Sequence, residues 1–386
     1  MSIEPTLKQK MIASIDSFQS LPFESYTDPE HFFREQQSVI QNSWMPMCAT
    51  GDLAEPGDYL SRNVGGEPVM IIRGTDGTLR ALSNVCRHRG TPILEAGTGN
   101  AKHLVCPYHA WTYDLEGKLK AVPYPGDREI EKNDHTLDSF QLEEWGNIIW
   151  VNMDPNAKPL KDRLKGIDRY LEYIDLARFT SSSGMSEPTT WNSNWKLIIE
   201  NAMESYHLFK CHKETLEPLA PTKDAFYLEG CAAWSVTAGK YTYEGSKLKT
   251  DPASLRDFER NNYILVSIPP GFVGTISQDR WGWLSFEPIS PTESLVFGAS
   301  SAPAGRTITG ERDELTEAFL AEDKFLCERA QRGMTARRSK GGKFVSLERI
   351  INDFHQYVSQ QMYATEPKSS WASPDADVHF PKIDVA

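Results

Sequence analysis

The sequence predicts an α+β fold, with a small all-β domain followed by a larger domain of antiparallel sheet and helices. Short strand-and-turn segments fill residues 42–155, and longer strand-like runs alternate with helical runs in residues 156–386. Residues 1–41 read as helical. We therefore expect an N-terminal helical segment that packs on the larger domain, an all-β domain over 42–155 and a mixed domain over 156–386.

The composition is that of a folded globular protein. Of 386 residues, 39% are hydrophobic and 24% are charged, and no apolar run is long enough to span a bilayer. The N-terminus lacks the apolar core of a secretion signal, so we expect a cytoplasmic protein without membrane contact. A formal charge of −12 argues against a nucleic-acid partner. Six widely spaced cysteines are too sparse for a disulfide framework.

The elements can be assigned in order. In the all-β domain, the apolar run Val69–Ile72 and the turn residues Asp76 and Gly77 predict a hairpin. Residues 157–180 have apolar side chains at helical spacing, which predicts a helix. In the mixed domain, residues 231–245 and 262–276 read as strands and residues 311–334 as a helix, and the segment after Lys368 reads as an irregular arm.

Two Cys–His pairs lie in the all-β domain. Cys86-x-His88 and Cys106-x-x-His109 are separated by seventeen residues. Zinc fingers place the two cysteines together and the two histidines together, whereas each loop here supplies one of each. This pattern suits a [2Fe-2S] cluster in which two thiolates hold one iron and two imidazoles hold the other. The alternatives are a zinc site and a set of core cysteines and surface histidines that bind no metal.

A second metal-ligand pattern, Glu204-x-x-His207-x4-His212, lies in the helical stretch 195–216. Glu204 and His207 share a helix face, but His207 and His212 would be about 140° apart on a regular helix. We therefore expect a π-bulge, a kink or a helix end between the two histidines. Two histidines and a carboxylate form the facial triad of non-haem Fe(II) oxygenases, which leaves metal positions open. A structural histidine pair is the alternative.

The segments CRHRG, CPYHAW and NWKLIIENAMESYH resemble the catalytic α-subunit of Rieske non-haem iron oxygenases, and the match covers nearly the whole chain. The resemblance implies a helix-grip (Bet v1-like) catalytic domain, a mononuclear Fe(II) on His207 and His212, and O2 as co-substrate. It also implies a Rieske cluster on four ligands, which are Cys86, His88, Cys106 and His109.

The resemblance also suggests the third iron ligand. In the family this ligand is an acid followed eight residues later by glutamine, and Asp353 and Gln361 match that pattern. We therefore expect Asp353 to complete the iron site, with Glu348 and His355 as the competing residues.

Glu204 occupies the family position whose acid hydrogen-bonds histidines of both metal centres across a subunit interface. The resemblance implies that Glu204 aligns an electron path from His109 of a neighbouring subunit to His207. It implies a homotrimer or a multiple of three. The alternative is a solvent-facing helix glutamate.

The electron source must be separate, because the sequence has no dinucleotide-binding fingerprint and no further cysteine set for a plant-type ferredoxin. We expect electrons from NAD(P)H to arrive only through a flavin- or ferredoxin-type reductase. Residues 86–120 contain five basic and three acidic side chains, a locally basic stretch that would attract an acidic ferredoxin-like domain. A mixed solvated surface is the alternative.

The substrate is a small molecule whose identity the sequence leaves open. Trp281 and Trp283 fall on one face of a predicted strand, and Trp234 and Tyr241 lie in another. Such aromatics could line a pocket for an aromatic ring, cage a quaternary ammonium group or simply belong to the core. Glu204 in place of the aspartate of many ring hydroxylases resembles the carnitine monooxygenase branch. We therefore expect oxidation of a quaternary ammonium or N-methyl compound, with aromatic hydroxylation or dihydroxylation as the alternative.

Overall fold

The structure is a computed structural model, and it describes residues 5–242, 255–277, 280–305, 310–336 and 338–366. The predicted C-terminal arm after Lys368 lies outside these ranges. The α-helices that the structure describes are α1 Leu7–Asp16, α2 Pro29–Glu35, α3 Leu160–Arg163, α4 Trp195–Ala202, α5 Leu208–Cys211, α6 Asp257–Asn261, α7 Gly310–Met334 and α8 Arg349–Tyr363. None of the helices in these ranges has the length and apolarity that a membrane crossing would need.

The first ten strands lie between residues 45 and 152. They are β1 Met45–Ala49, β2 Asp58–Val64, β3 Glu67–Arg73, β4 Leu79–Ser83, β5 Gly97–Asn100, β6 Leu104–Val105, β7 Thr112–Tyr113, β8 Leu119–Ala121, β9 Ser139–Trp145 and β10 Ile148–Asn152. Seven of them form an antiparallel sheet in the order β1-β10-β9-β4-β3-β2-β5. Strands β6, β7 and β8 form a separate small sheet, and the predicted hairpin is β3–β4.

The second large sheet is also antiparallel and has the order β11-β18-β17-β16-β15-β14-β13, with β12 paired to β18. Its strands are β11 Ser181–Ser182, β12 Thr189–Trp191, β13 Ala225–Gly230, β14 Ser235–Lys240, β15 Asn262–Ile268, β16 Phe272–Ile276, β17 Trp281–Ser290 and β18 Glu293–Ala302. We call it the catalytic sheet.

The two faces of the catalytic sheet pack against different parts of the chain. Because side chains alternate along a strand, Tyr263 and Leu265 of β15 share one face. They belong to a core that also contains Trp195 of α4 and Phe354 of α8, and we call this the inner face. Residues of the opposite face, such as Ile264, belong to a second core that includes Trp150 of β10.

The helix predicted over residues 157–180 is not continuous. The structure has the short helix α3, followed by single 3₁₀ turns at Ile167–Tyr170 and Leu176–Arg178. Gly166 separates α3 from the first turn and has a φ of 97°, a left-handed conformation that ends an α-helix. The apolar spacing thus identified the buried side chains of this segment but not its breaks.

Candidate metal centres

The two cysteine-containing loops share one backbone pattern. The amide of Cys86 donates to the carbonyl of Thr91, and the amide of Gly90 donates back to the carbonyl of Cys86. In the second loop the amide of Cys106 donates to the carbonyl of Trp111, and the amide of Ala110 donates back to the carbonyl of Cys106. Gly90 and Ala110 both have left-handed φ values, 75° and 54°. The repeated turn presents the two Cys–His pairs in a similar way.

The ligand side chains separate into a thiol side and an imidazole side. The thiols of Cys86 and Cys106 are buried and contact each other, and burial raises the pKa of Cys86. The rings of His88 and His109 lie nearer the surface, with centroids 4.7 Å apart. His109 Nδ1 is buried and has no hydrogen-bond partner among the residues that the structure describes.

This separation fits a [2Fe-2S] cluster better than a zinc ion. A single tetrahedral ion needs all four ligand atoms around one point, whereas a cluster needs a thiolate pair and an imidazole pair on different irons. Among the described residues, the ligand atoms of Cys86, His88, Cys106 and His109 do not converge closely enough to surround one ion. A cluster would also give the buried His109 Nδ1 the partner that it lacks.

The second centre begins where helix α4 stops. Helix α4 ends at Ala202, His207 immediately precedes the one-turn helix α5, and His212 immediately follows α5. The expected break in the helix therefore consists of the end of α4 and the two ends of the short helix α5. It brings the Nε2 atoms of His207 and His212 to 3.2 Å from each other, which a regular helix could not do.

The third group at this point is Asp323 of helix α7. Its Oδ1 atom lies 2.9 Å from His212 Nε2 and 3.5 Å from His207 Nε2. Ligands at about 2.1 Å from one ion and at right angles to each other lie about 3 Å apart, so the three atoms fit one face of an octahedral metal site. Among the described residues, His207, His212 and Asp323 are the one group of three or more potential ligands that converges in this way.

Three further side chains hold this group in place. Glu204 Oε1 lies 2.5 Å from His207 Nδ1, and Glu322 Oε2 lies 2.7 Å from His212 Nδ1. When each Nδ1 donates its proton to a carboxylate, each Nε2 keeps its lone pair for a metal. Asn201 Nδ2 donates to Asp323 Oδ1 at 2.7 Å and orients that carboxylate.

The ionisation of the group reflects these contacts. Burial alone would lower the pKa of His207, but hydrogen bonds to Asp323 and Glu204 raise it to about 10. Burial would raise the pKa of Asp323, yet its bonds to the two histidines lower it to about 2. Asp323 is therefore a carboxylate at neutral pH, the form in which it can bind a cation.

The expectation that Asp353 is the third ligand must be corrected. Asp353 is buried against the catalytic sheet, where its Oδ2 atom accepts hydrogen bonds from Tyr227 and Ser235. The competing residues also lie elsewhere, since Glu348 accepts from the Val345 amide and His355 contacts Glu200. The sequence did contain the signal for Asp323, because Gln331 follows it by the same eight residues that separate Asp353 from Gln361.

The interpretation of Trp281 and Trp283 as pocket residues is also corrected. Both side chains are buried, and their rings contact Trp145 and Phe272 in the second core. On the same strand Phe286 stacks on Trp195 of α4, so Trp281 and Trp283 face the opposite side of the sheet from the helix that leads to His207 and His212. They are core residues.

The aromatic pair beside the histidines is Tyr241 and Tyr263. Their rings are 5.6 Å apart in an edge-to-face arrangement, and Tyr263 OH lies 3.3 Å from Ser205 Oγ, between Glu204 and His207 in the chain. The sequence singled out Tyr241 among several aromatics but not Tyr263, because the two residues are far apart in the chain and come together only through the β14–β15 pairing, which leaves no local pattern.

Family models match both domains of the chain. A family model described as the Rieske [2Fe-2S] domain matches residues 43–141, and one described as the ring hydroxylating alpha subunit (catalytic domain) matches residues 144–364. The chain belongs to the Rieske oxygenase α-subunit family. It is an O2-dependent oxidoreductase, and the resemblance and the fold class inferred from the sequence are confirmed.

Relatives with assigned activities include two quaternary ammonium oxygenases. The carnitine monooxygenase oxygenase subunit of Acinetobacter baumannii is 29% identical over 360 residues, or 88% of this chain and 92% of the relative. The glycine betaine monooxygenase oxygenase subunit of Pseudomonas aeruginosa is 32% identical over 72% of this chain and 65% of the relative.

Solved structures give the same picture of the fold. A quaternary ammonium Rieske monooxygenase superposes with a TM-score of 0.79 at 25% identity, over 94% of this chain and all of that chain. Naphthalene 1,2-dioxygenase from Rhodococcus sp. superposes with a TM-score of 0.76 at 21% identity, over 94% of this chain and 98% of that chain. At that identity the second match supports the fold alone.

Proposed function

We propose that the protein is the oxygenase component of a Rieske monooxygenase that hydroxylates or N-demethylates a small quaternary ammonium or N-methyl compound. The observation that carries the substrate class is the Tyr241–Tyr263 pair beside the acidic iron site. Aromatic faces next to Glu204 suit a cation better than a neutral ring. The carnitine and glycine betaine monooxygenases among its relatives support the same class.

In this proposal His207, His212 and Asp323 hold a mononuclear Fe(II), whose remaining coordination positions supply the chemistry with O2. Glu204 and Glu322 keep both imidazoles in the tautomer that presents Nε2. Asn201 keeps Asp323 turned toward the histidines. These side chains give the site its shape before any substrate enters.

Electrons would reach this site from the cluster of a neighbouring subunit. Within the described part of one chain, Glu204 contacts His207 and the Tyr206 amide, while the His109 ring contacts His88 and Tyr108. Each Glu204 oxygen has one of these partners and can accept a second hydrogen bond, so Glu204 can bridge to His109 of another copy, which requires a head-to-tail oligomer such as a trimer. A solved quaternary ammonium Rieske monooxygenase is described in terms of inter-subunit electron transfer, which supports this part of the proposal.

A separate reductase would supply the cluster. The exposed edge of the imidazole pair carries basic side chains, and Arg89 lies over the Tyr108 ring at 5.0 Å. An acidic flavin- or ferredoxin-type domain would be attracted to this edge.

The test is turnover by the iron-loaded protein with a surrogate reductase and NADH. We expect carnitine, γ-butyrobetaine, glycine betaine or choline to stimulate O2 uptake and to yield an oxidised product in matching amount. Naphthalene, indole and toluene serve as the comparison set. Coupled oxidation of the aromatic compounds, with none of the ammonium compounds, would instead establish the alternative function of ring hydroxylation.

A further inference from the structure

The inner face of the catalytic sheet carries buried polar side chains that the iron site does not use. Along β14 and β15, Ser235 lies directly opposite Ser267, and Thr237 lies opposite Tyr227 of β13. Asp353 of α8 contacts this face through Tyr227 and Ser235. We call these five residues, which are Tyr227, Ser235, Thr237, Ser267 and Asp353, the Asp353 cluster.

The hydrogen bonds of the cluster are incomplete. Both Tyr227 and Ser235 donate to Asp353 Oδ2, at 3.1 and 3.4 Å. Asp353 Oδ1, Thr237 Oγ1 and Ser267 Oγ have no partner among the residues that the structure describes. These three side chains are 2%, 8% and 0% exposed. Because buried polar atoms are almost always paired, three orphans on one patch indicate a missing polar group.

A glycine makes room for this arrangement. A Cβ atom on Gly230 would lie 2.5 Å from Tyr227 OH, 2.7 Å from Ser235 Oγ and 2.8 Å from Asp353 Oδ2. Any other residue would therefore push the carboxylate and its two donors apart. The cluster depends on glycine at this position.

The charges around Asp353 favour a neutral partner over a cation. The guanidinium of Arg349 stacks on the Tyr227 ring at 3.6 Å, so a positive charge already faces the carboxylate. Burial raises the pKa of Asp353 to about 6, and the Tyr227 hydrogen bond and Arg349 oppose this rise. Asp353 is thus mostly ionised at neutral pH, and its free oxygen needs a hydrogen-bond donor. A hydroxyl group can donate to it and accept from Ser267 or Thr237.

The cluster lies on the same sheet face as the iron-site tyrosines. Ser267 and Tyr263 are four residues apart on β15, about 13 Å along the strand, and alternation puts them on one side. Tyr263 OH in turn reaches Ser205 beside the histidines. One sheet face thus connects the surroundings of the histidines with the Asp353 cluster.

We propose that the Asp353 cluster binds a hydroxyl group of the substrate, remote from the carbon that is oxidised. The proposal rests on the proposed function only in its choice of first probes. It makes Asp353, Ser267 and Thr237 determinants of specificity for hydroxylated compounds.

The test compares matched substrates with the iron-loaded protein. Trimethylammonium compounds with a terminal hydroxyl on chains of two to ten carbons are each compared with the alkyl compound of the same length. We expect one chain length at which the hydroxyl lowers KM about tenfold or more, the effect of a hydrogen bond to a charged group. Asp353→Asn should remove most of this preference, and Ser267→Ala or Thr237→Val should reduce it.

Ser301→Ala is the matched control. Ser301 Oγ is another buried hydroxyl without a partner among the described residues, but it lies opposite Trp281 on the other sheet face. This variant should keep the hydroxyl preference. The absorbance of the [2Fe-2S] cluster and the melting temperature verify folding. If Asp353→Asn does not fold, the variants Ser267→Ala and Thr237→Val decide the question.

The two proposals can fail separately. If no ammonium compound is oxidised, the proposed substrate class is wrong, and phenylalkanols compared with alkylbenzenes then test the cluster in the same way. If neither series shows a hydroxyl preference, or if the preference survives in Asp353→Asn, the cluster does not bind substrate. A bound water that satisfies the three orphan atoms would give that result.

Discussion

The acidic residues near helices α4, α5 and α7 differ in which histidine atoms they contact. Asp323 reaches the Nε2 atoms of both histidines, whereas Glu204 and Glu322 each reach one Nδ1 atom. Only an acid at the Nε2 side can share a metal with the histidines, because Nδ1 faces away from that point. Asp353 contacts hydroxyl groups instead.

This difference predicts which variant loses iron. Asp323→Ala should lose the mononuclear iron and turnover, because two histidines alone rarely hold Fe(II) tightly. Asp353→Ala should keep the iron. Iron per chain is measured together with cluster absorbance, which serves as the internal standard for folded protein. Loss of mononuclear iron in Asp353→Ala and its retention in Asp323→Ala would restore Asp353 as the ligand.

The hydroxyl group of Tyr113 contacts Cys86, one of the proposed cluster ligands. Tyr113 OH lies 3.4 Å from Cys86 Sγ and accepts a hydrogen bond from the Arg87 amide, so its own proton is directed at the sulfur. A hydrogen bond to a ligand sulfur stabilises the more negative, reduced cluster and raises its potential.

Tyr113→Phe should therefore lower the reduction potential of the cluster. A hydrogen bond contributing about 1 kcal/mol corresponds to about 40 mV for one electron. Redox titration followed by visible absorbance gives the value. Tyr108→Phe is the control, because Tyr108 stacks on His109 through its ring and its hydroxyl is not needed for that contact. Equal potentials for Tyr113→Phe and the unmodified protein would show that the hydroxyl does not affect the cluster.

At the scale of elements, local patterns predicted more than long-range ones. The cluster ligands fall within two loops close in sequence, so their types and spacing were readable. The proposed third iron ligand comes from helix α7, more than a hundred residues after His212, and the acid–glutamine spacing occurs in both α7 and α8. Similarly, strand alternation put Trp281 and Trp283 on one face but could not tell which core that face joins. Tertiary packing decides both questions.

Helix α4 is tied to the N-terminal helices by a fully buried ion pair. Lys196 Nζ lies 2.9 Å from Glu35 Oε2 and also donates to the Ser25 carbonyl. Trp195 Nε1 donates to the same carboxylate, at 3.0 Å. Both charged side chains are completely buried. Since α4 leads directly to Glu204 and His207, this pair fixes the start of the iron-site segment.

Removal of one charge should be more harmful than removal of both. Lys196→Met should destabilise the fold by about 3–5 kcal/mol, because it leaves the buried Glu35 carboxylate with His31, 3.1 Å away, as its one remaining basic neighbour among the described residues. The double variant Glu35→Gln/Lys196→Met should recover much of this loss, since glutamine still accepts from Trp195. Thermal melting midpoints measure the change. A double variant as unstable as the single one would mean that the ion pair itself, and not the unpaired charge, determines stability.

At the scale of the whole molecule, the two metal centres expose aromatic side chains on separate surfaces. Tyr108, stacked on His109, is 55% exposed, and Tyr206 and Phe209 beside the iron histidines are 40% and 50% exposed. Large aromatics at such exposure are typical of interaction surfaces. The cluster surface also carries the basic side chain of Arg89, which lies over the Tyr108 ring.

Mixed oligomers test whether electrons pass between copies. His109→Ala should disable the cluster of its own chain, and Asp323→Ala should disable the iron site of its own chain, so neither variant alone turns over. When the two variants are co-expressed with different affinity tags and purified through both, an intact cluster can lie beside the intact iron site of a neighbour. In a head-to-tail trimer purified through both tags, every ring contains both variants, and one of its three interfaces joins an intact cluster to an intact iron site, so about a third of the unmodified activity should return. The control is the mixture of separately purified variants, measured before subunits exchange, which should stay inactive.

Mixed oligomers that remain inactive despite a full complement of both metals would mean that each iron depends on the cluster of its own chain. Glu204 would then have no bridging role between subunits.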